Sequence, residues 1–159
     1  MAGTNHKESS KVQEGPAIIL IVPQLGENIG KAVRAMYNFG LTDLRLVAPR
    51  DGWPNEAAVA PAAGADIVLE KARVYETTAE AIADLEYVYA TTARPRDIIK
   101  EVVTPKHCCN LMRGHVNSGK KVGLLFGPEK AGLKNDDIVL STAIVSVPLN
   151  PSFASINLA

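Results

Sequence analysis

The segment PAIILIVPQLGENIGKAVRAMYNFGLTDLRLVAP, residues 16–49, decides the fold class. Its residues 17–22 form an unbroken apolar run rich in β-branched side chains and closed by Pro23, the pattern of a strand buried on both faces. Ile29, Val33, Met36 and Tyr37 then recur at helical spacing, and Gly40 supplies the stop. Residues 44–47 read as a second apolar strand, with Pro49, Gly52 and Pro54 in the loop beyond it. Strand, helix, strand, with both strands apolar throughout, is the repeating unit of a parallel sheet covered by helices.

The same alternation continues on the carboxyl side. The pattern predicts a short Ala-rich helix over 56–63, a strand near 66–69, a helix over 78–85 and a strand over 87–91. Thr104 is placed to cap a helix that has Pro105 at its first position and runs to about Val116. A strand over 121–126, a short helix over 135–140 and a last strand over 143–147 complete the reading. Residues 1–15 are polar and without period, so a flexible tail is expected there, followed by one domain over 16–159. The fold class is α/β, a Rossmann-like, mostly parallel sheet flanked by helices.

Composition removes several function classes. The chain has 159 residues, with 17 Lys and Arg against 17 Asp and Glu, and is ordinary globular material. No apolar run reaches the ~18–20 residues of a membrane span, and the polar start lacks the apolar stretch of a signal peptide. Cys108 and Cys109 are adjacent, too close for an ordinary disulfide, which fits reduced thiols in the cytoplasm. With His107 they form a cluster read as packing, and no metal-ligand spacing occurs elsewhere. The neutral total hides an uneven distribution. Residues 51–86 carry eight acids and two bases, whereas 94–121 carry seven bases and two acids. The basic stretch suits a polyanion, although charge alone is equally the mark of a solvated face.

In sheets of this kind ligands sit beyond the carboxyl ends of the strands. Two loops there imitate phosphate cradles and fail. GENIGK, 26–31, is one residue short of a P-loop and is followed by Ala32, and GPEKAGL, 127–133, has Leu133 where the phosphate-binding Lys belongs. No GxGxxG follows the first strand, so nucleotide-dependent readings lose their support. Three polar clusters remain: 27–30, whose helix carries Arg34 one and a half turns beyond Asn28; 126–129, with Glu129 directly after a strand; and 148–157, rich in Ser and Asn. Singly, each is explained by caps and turns.

Together they are more specific. NIGKAVRAMYNFG (28–40), LLFGPEKAGL (124–133) and VPLNPSFASINLA (147–159) resemble, in that order, motifs 1, 2 and 3 of the SpoU/TrmH branch of the SPOUT RNA methyltransferases. TTAR, 91–94, resembles the loop before that family's variable basic segment. The resemblance covers 16–159 and is nearest to the tRNA ribose methyltransferases. It implies a C-terminal trefoil knot in the sheet, S-adenosyl-L-methionine held by knot loops, a tRNA substrate and a homodimer with its sites at the subunit interface. By position, Arg34 matches the catalytic arginine, Asn28 its motif 1 companion, Glu129 the motif 2 acid, and Ser155 and Asn157 the motif 3 pair. Cofactor contacts are implied at Thr91, Thr92, Ala93, Gly127, Val147, Ser155, Ile156 and Asn157, and RNA contacts at Arg34, Arg94 and Arg96.

The implied chemistry is methyl transfer to a ribose 2′-hydroxyl, with nucleotide 32 of the anticodon loop as the expected target. Arg34 has two readings, a general base or a retained charge that stabilises the developing alkoxide. Glu129, a strand-end carboxylate near bases, is expected to be ionised and to order loops. The family continues beyond motif 3 through a helix that completes the knot, so the chain is expected to be a catalytic domain with that end truncated. A non-catalytic knotted RNA-binding module and a ribosomal RNA target are the competing readings.

Overall fold

The computed structural model describes residues 15–92 and 97–158. The chain forms β1 (Ala17–Ile21), α1 (Gly26–Asn38), β2 (Leu44–Val47), a 3₁₀ turn (Glu56–Ala58), α2 (Val59–Ala62), α3 (Asp66–Lys71), β3 (Arg73–Tyr75) and α4 (Thr78–Ala81). It continues with β4 (Tyr87–Thr91), β5 (Val102–Val103), α5 (Pro105–Asn117), β6 (Val122–Phe126), α6 (Asn135–Val139) and β7 (Ala143–Val145). The strands make one sheet in the order β3-β2-β1-β6-β4-β7-β5, and every neighbouring pair runs parallel.

β1 explains why the sheet is covered on both sides. All five of its residues are buried, and because side chains alternate across a strand they divide between two cores. Ile18 and Leu20 join Leu44 and Leu46 under Ile29, Val33 and Met36 of α1 and under Ala62 and Val68. Ala17, Ile19 and Ile21 join Val47, Ala81, Leu125 and Ile138 on the other face, beneath α4 and α6. A third core sets Cys108 and Met112 of α5 against Tyr89, Val122 and Val145, and Leu124 links it to the α1 side. Close approach is built into the α1 layer: a Cβ at Gly30 would lie 2.2 Å from the Ala58 carbonyl oxygen, so only glycine lets the 3₁₀ turn pack there.

Most expected elements are present. Thr104 caps α5 by accepting from the His107 N–H at 3.2 Å, with Pro105 opening the helix. Gly40 ends α1 at φ 73°, the left-handed conformation glycine adopts without penalty. Cys108 is buried in the third core while His107 and Cys109 are exposed, so the cluster divides across the helix.

Two readings are corrected. Residues 66–69 belong to helix α3 rather than a strand: burial recurs at Ala65 and Val68, three residues apart, with Asp66 and Ile67 both exposed between them, the spacing of a helix. The strand in this region is β3, immediately after it, and β5 is a two-residue edge strand that the pattern did not disclose. The helix expected over 78–85 stops at Ala81, and the chain turns through Ile82 to Leu85. Most of the expected tail, residues 1–14, lies outside the described residues.

Candidate active site

The sheet order fixes where a ligand can sit. From β1 the chain moves outward to β2 and β3, and from β6 it moves the other way to β7, so the connections part between these adjacent strands. Such a switch point opens a crevice beyond the carboxyl ends of the strands. On the β6 side of it, beyond the carboxyl ends of β6 and β4, lies a cleft of about 590 Å³, within the usual range for small-molecule sites. Its walls come from the ends of β4 (Thr91, Thr92) and β6 (Phe126 to Lys130), and from Val147, Leu149 and residues 154–158 beyond β7.

Glu129 organises the mouth of the cleft. One carboxylate oxygen, Oε2, accepts the Gln24 N–H at 2.9 Å, and Oε1 accepts the Leu25 N–H at 3.1 Å. Oε1 also accepts the Asn28 side-chain N–H at 3.1 Å. Leu25 is the N-cap position of α1 and its side chain caps nothing, so the acid acts as a helix cap supplied from the far part of the chain. Burial pushes the Glu129 carboxyl upward, but its own N–H, those of Gln24 and Leu25, and the Asn28 amide outweigh it. The net effect holds the group below the usual carboxylate range, and it is ionised at neutral pH.

Asn28, 5% exposed, passes the connection on. Its side-chain oxygen accepts from the Asn157 amide at 3.4 Å, so Glu129, Asn28 and Asn157 form one chain of contacts between segments at opposite ends of the sequence. The segment before Asn157 is shaped by Asn150, whose side-chain oxygen accepts the Ser152 N–H at 3.0 Å and whose carbonyl accepts the Phe153 N–H at 2.9 Å. Thr91 is tied to β6, its hydroxyl donating to the Leu125 carbonyl at 2.7 Å.

The expected site residues therefore divide. Thr91, Thr92, Gly127, Glu129, Val147, Ser155, Ile156 and Asn157 all line the cleft, and Asn28 stands behind it. Arg34 does not line it. The side chain is exposed on α1, six residues past Asn28 and so turned well around the helix axis, with no ion pair among the described residues. Ala93, Arg94 and Arg96 lie outside the described residues. Gly127 meets a constraint from its own loop: a Cβ there would lie 2.3 Å from the Leu133 backbone nitrogen, where the chain folds back through a Gly132 N–H to Pro128 carbonyl bond.

Sequence reasoning missed the Gln24 and Leu25 N–H groups, the apolar walls Phe126, Leu149 and Leu158, and Lys130 at the rim. Lys130 follows Glu129 directly, and that adjacency was the available signal. Among the described residues no group of three or more His, Cys, Asp or Glu is arranged to hold a metal ion.

A model of the SpoU rRNA methylase family matches residues 16–159. The chain belongs to this family. It is 39% identical over 142 residues to the tRNA (cytidine/uridine/adenosine-2′-O-)-methyltransferase TrmJ of Pseudomonas aeruginosa, covering 89% of this chain and 55% of that protein. The chain thus spans about half the length of the curated relatives it matches. Among solved structures, TrmJ from Z. mobilis ZM4 superposes with a TM-score of 0.86 at 59% identity, over 90% of this chain and 62% of that one. AviRb from Streptomyces viridochromogenes, a SpoU methyltransferase solved with AdoMet, shares the fold at a TM-score of 0.72 and 19% identity, over 91% of this chain and 52% of that one. SpoU methylases of this kind match the seven-stranded α/β architecture; among the described residues no helix is long and apolar enough to cross a membrane.

Proposed function

We propose that residues 16–159 form the catalytic domain of an S-adenosyl-L-methionine-dependent methyltransferase that modifies a ribose 2′-hydroxyl of tRNA, with nucleotide 32 of the anticodon loop as the target. The observation carrying this reading is the Glu129–Asn28–Asn157 chain, which draws the three motif segments to the mouth of one cleft. The TrmJ relatives support the substrate class.

The cleft suits the cofactor in size and in kind. Phe126, Val147, Leu149 and Ile156 offer apolar walls for a flat ring, and the strand-end loops bring main-chain groups alongside. Thr91, Thr92, Gly127, Val147, Ser155, Ile156 and Asn157 are the residues proposed to hold it, together with Ala93. Bound there, the cofactor supplies a methyl group activated by a sulfonium. Glu129 and Asn28 hold the loops at a fixed separation, which is what alignment of donor and acceptor requires.

Arg34 has the other role. The guanidinium's positive charge suits it to stabilising negative charge on the ribose oxygen while the proton leaves to water or phosphate. Because Arg34 stands off its own cleft, we place the reaction at a site shared by two copies of the chain. Exposed apolar side chains around the cleft, Phe153 at 74%, Ile156 at 59% and Leu25 at 45%, favour such a homodimer. A trefoil knot formed by the motif 3 segment and RNA contacts from Arg94 and Arg96 belong to the same proposal.

The test is transfer of labelled methyl groups to tRNA transcripts, followed by mapping of alkali-resistant linkages. Label at one ribose of the anticodon loop is the expected result. Label confined to ribosomal RNA would move the substrate, and no label on any RNA would leave a binding module.

A further inference from the structure

A second concavity lies at the other end of the sheet. A groove of about 720 Å³ opens where the amino ends of β1, β2 and β6 meet the turns leading into β3 and β4. Five cationic side chains line it, Arg45, Lys71, Arg73, Lys120 and Lys121, against the carboxylates of Asp43 and Asp84. With the Glu86 carboxylate that pairs with Lys120 counted as well, that is a surplus of two positive charges in a protein of zero net charge. Lys71 and Arg73 are the two bases of the acidic stretch 51–86, and Lys120 and Lys121 close the basic stretch, so folding gathers cations that the sequence keeps apart.

Both acids are already engaged. Arg45, its side chain 3% exposed, donates to Asp43, to Asp84 and to the Ala81 carbonyl. Arg73 donates to Asp43 Oδ1 at 2.8 Å, an oxygen that also accepts from Arg45 Nε at 3.2 Å. The lysines are looser. Lys71 is exposed with no ion pair among the described residues, and the Lys121 ammonium lies 3.9 Å from Asp84 with its side chain 63% exposed. Lys120 reaches Glu86 at 3.1 Å, an exposed pair of the kind that adds little stability.

The groove also has the reach of a chain-like ligand. β3 and β6 are separated by β2 and β1, so the cations at their feet stand about 14 Å apart at the usual strand spacing. One phosphate ion cannot touch both ends, whereas consecutive phosphates of a backbone can.

We propose that this groove binds backbone phosphates of RNA, a second RNA-contacting surface at the end of the sheet opposite the cleft. It rests on the reading of the protein as an RNA methyltransferase. Lys71, Lys120 and Lys121 supply the contacts, and Arg45 pins the acids that would otherwise repel them.

The test uses the whole chain carrying Lys71→Ala, Lys120→Ala and Lys121→Ala, with tRNA binding followed by fluorescence anisotropy across a salt series. Each lost phosphate contact lowers the slope of log K against log[salt] by about 0.7–0.9, so the triple variant should lose about 2–3 and bind roughly a hundredfold more weakly near 0.1 M salt. Cofactor affinity by calorimetry and the thermal midpoint should hold. Lys71→Ala alone, at an exposed position, should produce about a third of that loss of slope and guards against misfolding of the triple variant. Unchanged slope and affinity in a protein that binds and methylates RNA would overturn the groove and leave the activity standing. A wild-type chain that binds no RNA would remove both. Inorganic phosphate binding that the substitutions abolish, with RNA affinity untouched, would make this a small-anion site and overturn the assignment.

Discussion

The Glu129 carboxylate and the Asn28 side-chain amide, 101 residues apart in the chain, are joined by a 3.1 Å hydrogen bond at the opening of α1. A helix start normally finds its cap in the residue just before it. Here the cap crosses the switch point of the sheet, so the position of α1 and the position of the loop after β6 are set by the same carboxylate.

Glu129→Gln should therefore cost stability and site geometry together. The amide presents a donor where two backbone N–H groups and Asn28 all need an acceptor, and a loss of about 1–2 kcal/mol is expected in urea denaturation. The sign of the pH dependence follows from the lowered pKa. The wild-type carboxylate contributes fully above its ordinary value of 4.5, and the contribution is lost as pH falls through the lower value of the folded state. The variant should lack that acid-side loss.

Arg34→Ala should behave in the opposite way. The side chain is exposed and bridges no elements, so the thermal midpoint and cofactor affinity should stay near those of the wild type. Methyl transfer should fall by at least 100-fold, of the order seen when one charge-stabilising donor is removed. Weakened cofactor binding in calorimetry, with turnover preserved at saturation, would contradict the assigned role.

The first β-α-β unit was legible because periodicity there is unambiguous: five buried residues in β1, then apolar positions at helical spacing. Residues 66–71 misled because a short apolar run, Ile67-Val68-Leu69, has too few positions to separate a period of two from one of 3.6. β3 and β5 are short and partly exposed edge strands, held in place by their neighbours rather than by their own pattern. The site was legible only as motifs. Nothing in the spacing of Asn28, Glu129 and Asn157 announces that they touch, since contacts across more than a hundred residues are decided by sheet order.

The buried Arg45 makes a separate prediction at the far end of the sheet. Burial raises the Asp43 carboxyl, but bonds from Arg45 and Arg73 outweigh it; at Asp84 the Arg45 bond dominates over burial, and both acids sit below the ordinary 3.8. Their contribution to stability is present above about pH 4 and lost as pH falls through the lowered values. Arg45→Met keeps the bulk, leaves Asp84 without its close partner and Asp43 with Arg73 alone, and should cost about 2 kcal/mol at neutral pH, solvent screening both partly exposed acids. The deficit should shrink as the solution is acidified and the acids take up protons. A deficit independent of pH in guanidinium melts would mean that packing alone, and not charge, holds this corner.

Backbone strain at the cleft end of the sheet gives the last prediction. Val22 and Ala48, directly after β1 and β2, have φ of 44° and 42°, a region that costs residues with a Cβ about 1–2 kcal/mol each. Both are held there by the sheet: the Val22 N–H donates to the Val47 carbonyl at 2.8 Å, and that of Ala48 to Tyr75 at 2.9 Å. The turn at Val22 also leads within three residues to the N–H groups that Glu129 accepts, so strain in one loop supports the geometry of another. Ala48 separates the two effects, since it touches none of the Glu129 bonds. Ala48→Gly should relieve the strain at a smaller entropic cost and raise stability by about 1 kcal/mol, while Ala48→Val should lower it by at least as much. Opposite signs for these two in thermal melts are what the strain argument requires, and destabilisation by both would place the constraint in the side-chain contacts of Ala48 instead.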